Sequence, residues 1–81
     1  MIKLIQSAII CTATTFSNWT DYEFYICRED YDEEDEIFTC VIGFYNSPLY
    51  TSFDVDIEFK SNDGVDDIMY QILKGWERRH G

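Results

Sequence analysis

Between Glu29 and Glu36, seven of eight residues are carboxylates, the exception being Tyr31, and an apolar, aromatic segment stands on each side of the run. Asp21–Cys27 reads Asp-Tyr-Glu-Phe-Tyr-Ile-Cys, and Ile37–Tyr45 reads Ile-Phe-Thr-Cys-Val-Ile-Gly-Phe-Tyr. Both flanks are rich in Tyr, Phe, Ile and Val, the residue types that suit a pleated, half-buried surface. The run between them has to stay in water, because an unpaired buried carboxylate loses hydration worth on the order of several kcal/mol. A β-hairpin of Tyr22–Arg28 and Ile37–Tyr45 meets both demands and holds a concentrated negative field at its tip. Its register stays open, since both segments carry apolar groups on both faces, as central or doubly covered strands do.

The remaining pattern supplies the partners of this hairpin. Over Ser52–Lys60, Phe53, Val55, Ile57 and Phe59 alternate with Asp54, Asp56, Glu58 and Lys60, which predicts a strand with one buried and one wet face. Val65, Ile68, Met69, Ile72, Leu73 and Trp76 then recur at helical spacing. Asp63 is the expected N-cap, with Asp66 completing a short capping box, and the acids and bases at the two ends complement the helix dipole. Lys3–Thr15 is ambiguous. Ile2, Ile5, Ala8, Ile9 and Ala13 form a helical stripe, yet the four Ile and three Thr of residues 2–15 favour a strand. The expected fold is therefore α+β: a four-stranded antiparallel meander with a C-terminal helix on one face, ββββα, with αβββα as the alternative.

At 81 residues the chain is read as one small acidic domain, residues 1–81. Its net charge of −10 is uneven: residues 1–73 set fifteen acids against Lys3, Arg28 and Lys60, while residues 74–81 set Glu77 against Lys74, Arg78 and Arg79. Such a body repels nucleic acid and anionic membranes and attracts basic protein surfaces. Cys11, Cys27 and Cys40 are odd in number and have no metal-binding spacing, so they are read as reduced core thiols of a cytoplasmic protein. The apolar start of the chain is too short to span a bilayer and lacks a clean cleavage site, and is read as part of the fold.

Catalytic chemistry finds no foothold. The single histidine, His80, is penultimate, and there is no nucleophile–base arrangement or glycine-rich phosphate loop. Asp30–Asp35 superficially resembles the start of a calcium loop, but Asp35 stands where the turn requires Gly and Val41 where a bidentate Glu belongs. No enzyme, metal or cofactor is expected. What stands out is the arrangement of acids. Asp54, Asp56 and Glu58 share one strand face at about 6.6 Å spacing, close to that of phosphates along a nucleic-acid strand. The tip adds Glu29, Asp30, Asp32, Glu33, Glu34, Asp35 and Glu36, with Tyr31 and Trp19, and more distantly Tyr50 and Tyr70, as aromatic anchors.

In composition, though not in any motif, the chain resembles the small acidic inhibitors carried by phages and mobile elements, including nucleic-acid mimics and anti-CRISPR proteins. That resemblance implies an inhibitor of a nucleic-acid-binding host enzyme, of anti-CRISPR or anti-restriction type, acting in the cytoplasm of the host cell. Two alternatives share the chemistry in part: an immunity protein or antitoxin that neutralises a basic toxin, and a plain interaction subunit that homodimerises through its sheet.

Overall fold

The computed structural model of the chain describes residues 2–60 and 62–80, and for Ile2, Arg79 and His80 the backbone alone. The element order is α1 (Ile2–Thr20), β1 (Glu23–Asp32), β2 (Ile37–Asn46), β3 (Thr51–Lys60) and α2 (Val65–His80). The strands form one antiparallel sheet in the order β1-β2-β3. The fold is thus α+β in the order αβββα, and the strand expected over residues 3–15 is a helix.

The reason lies in what the segment packs against. Ile5, Ile9, Thr12, Ala13 and Phe16 are buried at helical spacing, and Phe16 sits among rings from distant parts of the chain: 4.9 Å from Phe44, 5.7 Å from Trp76 and 6.2 Å from Phe53 between centroids. Burial of that stripe outweighs a β-branched propensity penalty of a few tenths of a kcal/mol per residue, on the order of what peptide scales give. The threonines adapt locally, since Thr12, Thr14, Thr15 and Thr20 each donate their hydroxyl to the carbonyl four residues back, at 2.7–3.0 Å. Asp21, at φ 68°, ends the helix with its N–H on the Ser17 carbonyl at 3.0 Å.

Both hairpins use the same connection. Asp32 pairs with Ile37 and Asn46 with Thr51, leaving four-residue loops, and each loop ends on a residue in the left-handed region, Glu36 at φ 54° and Tyr50 at φ 54°. The residue before each loop folds its side chain over it. Asp32 Oδ1 accepts the N–H of Glu34 at 3.0 Å, and Asn46 Oδ1 that of Leu49 at 3.3 Å.

The helices cover one face of the sheet. Phe38, Cys40, Ile42 and Phe44 of β2 and Phe53, Val55 and Ile57 of β3 are buried there against the α1 stripe and against Ile68 and Ile72 of α2. Val65, expected in the buried stripe of α2, is more than half exposed. The expected cap also moves along the chain. Gly64, not Asp63, precedes the helix, and Asp67 Oδ2 accepts the Gly64 N–H at 2.8 Å, the reciprocal half of a capping box. At Gly75 a Cβ would lie 2.6 Å from Val55 Cγ2, so a missing side chain lets α2 settle onto β3.

Candidate functional site

Among the described residues no helix or strand covers the second face of the sheet, and cross-strand register shows what it presents. Paired residues point their side chains to the same face. Across β1, β2 and β3 the outer rows read Glu23–Tyr45–Ser52, Tyr25–Gly43–Asp54, Cys27–Val41–Asp56, Asp30–Thr39–Glu58 and Asp32–Ile37–Lys60. The central strand contributes no charge to this face. Acids line it on both sides: Glu23, Asp30 and Asp32 along β1, and Asp54, Asp56 and Glu58 along β3. The two lines lie about 9.6 Å apart, two strand spacings, with roughly 6.6 Å between successive side chains of one strand.

A bulge decides which acids take part. Pairing slips by one residue between Cys27 and Glu29, leaving Arg28 unpaired at φ 48°. The slip turns Glu29 and Tyr31 to the helix side, opposite Cys40 and Phe38, and brings Asp30 and Asp32 to the outer face. The acidic run is therefore divided. Glu29 accepts the side-chain N–H of Gln6 on α1 at 2.9 Å, Asp30 and Asp32 join the outer face, and Glu33, Glu34, Asp35 and Glu36 follow at the loop. Tyr31, expected as an exposed anchor, is half-buried and packs against the core. Trp19 stands apart at the end of α1, two-thirds exposed, edge-on to Trp76 at 5.8 Å. Tyr50 and Tyr70 are exposed on the β2–β3 loop and on α2.

Sequence reasoning placed Asp54, Asp56 and Glu58 together, and the charge of Glu23 was legible with them, but it missed Tyr25 and Tyr45. Tyr25 lies across the strand, its Cζ 2.4 Å from where a Gly43 Cβ would stand, and its ring is 6.1 Å from that of Tyr45. A glycine inside an otherwise β-branched and aromatic strand is the usual mark of such a close approach, and Gly43 was the available signal. The Tyr45 hydroxyl is hydrogen-bonded to the Glu23 carboxylate, which, with that carboxylate's charge, raises the phenol above its ordinary range. Aromatic edges and acids thus mix at the β1 end of the outer face.

Charge on this face is largely uncompensated. Among the described residues the ion pairs are Lys60–Glu58 at 3.6 Å and Lys74–Glu77 at 4.0 Å, both well exposed. Exposed pairs of this kind contribute about 0–1 kcal/mol. No group of three or more His, Cys, Asp or Glu among the described residues is arranged to hold a metal ion. No described helix is long and apolar enough to cross a membrane.

The cysteines differ from one another. Cys40 is buried, and burial, reinforced by the Glu29 carboxylate and the Cys27 thiol, pushes its thiol up to about 11. Cys27 is half-buried on the outer face, and Cys11 is exposed on α1, so the reading of all three as core thiols holds for Cys40 alone. The chain matches no protein-family model, no curated protein and no solved structure.

Proposed function

We propose that the chain is an acidic inhibitor protein that docks on a basic, nucleic-acid-binding surface of another protein, its carboxylates standing where phosphates would lie. The observation that carries this reading is the outer face of the sheet: two lines of acids held on rigid strands, flanking an uncharged central strand. A flexible acidic tail would lose side-chain and backbone freedom on binding, whereas carboxylates on paired strands are already spaced. The anti-CRISPR or anti-restriction class and a phage or mobile-element origin rest on the compositional resemblance and belong to the proposal. An immunity protein against a basic toxin would use the same chemistry. A homodimer through the outer face fits less well, because a two-fold axis there sets carboxylates opposite carboxylates.

The test replaces the β3 line, D54N/D56N/E58Q, and separately the hairpin tip together with the last acid of the β1 line, D32N/E33Q/E34Q/D35N. Affinity for a basic nucleic-acid-binding protein captured by the native chain is then measured at low and high salt, with and without competing duplex DNA. Binding should be competed by DNA, weaken as salt contracts the Debye length from about 10 Å at 0.1 M to about 3 Å at 1 M, and fall sharply in at least one set. Both sets should fold with unchanged or higher melting temperature, since neither touches the buried residues. Binding that persists in both sets and in salt, yet is lost in Trp19→Ala, would overturn the reading in favour of an apolar contact.

A further inference from the structure

The free edge of β3 carries a second kind of information, in its backbone. An edge strand presents unpaired N–H and C=O groups that template a further strand unless something covers them. Glu58 shows which residues of β3 face outward. Its N–H donates to Gln71 Oε1 at 2.8 Å and its carbonyl accepts from Gln71 Nε2 at 2.9 Å, so both groups point away from β2. Lys60 repeats the pattern, its N–H donating to Asp63 Oδ2 at 2.8 Å and its carbonyl accepting the Asp63 N–H at 2.9 Å. The β2–β3 register runs without a slip from Asn46 opposite Thr51 to Ile37 opposite Lys60. By the two-residue repeat of the ladder, the N–H and C=O groups of Asp56, Asp54 and Ser52 therefore point outward as well.

Half of this edge is covered and half is not. Gln71 and Asp63 occupy it at Glu58 and Lys60, while among the described residues no side chain or backbone group is bonded to the outward groups of Asp56, Asp54 and Ser52. A cleft of about 1030 Å³ opens beside that uncovered half, between β3 and α2, and its lining includes Asp54, Asp56, Tyr70, Lys74 and Arg78. The contact of Gly75 with Val55 sets the distance between helix and strand and so the width of the cleft. At the other edge of the sheet the Arg28 bulge interrupts β1 in mid-strand.

We propose that Ser52–Asp56 accepts an extended segment of a basic protein partner, added to β3 as a fourth strand and stopped at Glu58 by the Gln71 amide. The alternating backbone donors and acceptors call for a strand, not a helix. Asp54 and Asp56 stand directly opposite the incoming residues on the outer face, where Lys or Arg is favoured. A second copy of β3 would bring like charges face to face, so the occupant is a different protein. Side chains on its other face lie along Tyr70, which is exposed and has the Lys74 ammonium 5.5 Å from its ring centroid. The inference rests on the reading of a basic protein partner and adds the mode of contact.

The test uses the full chain and the synthetic peptide Thr-Lys-Val-Lys-Val-Lys-Thr, with a second peptide N-methylated at its three lysines. Methylation keeps the charge and removes the donors that would face β3. The first peptide should slow amide hydrogen exchange at Asp54 and Asp56, and the methylated one should bind at least about tenfold more weakly, the loss of several backbone bonds. Ser52→Pro removes one outward donor and no ladder bond, and should weaken the first peptide by about threefold to tenfold with little change in melting temperature. Equal binding of the two peptides, or binding without slowed exchange at Asp54 and Asp56, overturns strand addition and leaves the acidic-face reading standing. Failure of both peptides to bind also overturns it, while competition by duplex DNA judges the acidic-face reading separately.

Discussion

The two faces of the sheet are made by the same three strands and are held by different physics. On the inner face Phe38, Ile42, Phe44 and Ile57 are all at most 2% exposed, under two helices, and the aromatic rings of Phe16, Phe44, Phe53 and Trp76 interlock. On the outer face Tyr25 and Tyr45 keep 53% and 37% of their surface in water among six carboxylates. Burial per residue on the inner face is worth about 1.5–3 kcal/mol, against at most about 1 kcal/mol for an exposed pair on the outer one. Stability is concentrated on one face, which leaves the other free to present charge.

Adjacent residues of β2 provide the sharpest test of that difference. Phe44→Ala should cost about 3–5 kcal/mol, a large part of the roughly 5–15 kcal/mol that holds a small domain together. Tyr45→Ala, one residue on and pointing the other way, should cost about 1 kcal/mol or less, in line with its partial exposure. Denaturant unfolding of the two variants measures both. If the costs come out within about 1 kcal/mol of each other, the division into a structural and a presenting face is wrong.

An intermediate effect is expected from Cys40, opposite Glu29 at the bulge. Its folded-state thiol is raised from 9.0 to about 11, so the folded state favours the neutral form. The stability this contributes is complete below the unfolded value near 9 and is lost as pH rises through about 11. Native stability should therefore fall between those values, and the fall should be shallower in Cys40→Ala, which lacks this thiol. Alkylation at pH 8 should reach exposed Cys11 well before Cys40. Identical pH slopes in the two proteins would remove the thiol from the account.

The smallest effect is expected at Gly43, on the outer face beneath the Tyr25 ring. A Cβ there would press on the far end of the Tyr25 ring, which has solvent to swing into. Gly43→Ala should cost under about 1 kcal/mol, since the lost ring contact is partly offset by the entropy a strand glycine gives up on folding. In a Tyr25→Ala background the same change should become stabilising by roughly 0.5–1 kcal/mol. A double-mutant cycle with no coupling between the two positions would show that the Tyr25 ring does not rest on Gly43.

The amino-acid sequence by itself determined the elements whose pattern has one period and one sign. The strict alternation of Phe53–Lys60 placed Asp54, Asp56 and Glu58 on a wet face, and the stripe of Ile68, Met69, Ile72, Leu73 and Trp76 made α2 amphipathic. The carboxylates after Asp32 are enough to force a turn between two apolar strands. Tertiary structure decided the rest, because the competing local choices there were nearly equal in energy. Lys3–Thr15 fits a strand by propensity and a helix by stripe, and contacts of Phe16 with rings from β2, β3 and α2 settle it. Arg28 carries no local sign of a bulge, yet that one unpaired residue turns Tyr31 inward and Asp30 and Asp32 outward. A side chain's face follows from counting residues only while the count is unbroken, and breaking it depends on how β1 meets β2 and the helices above them.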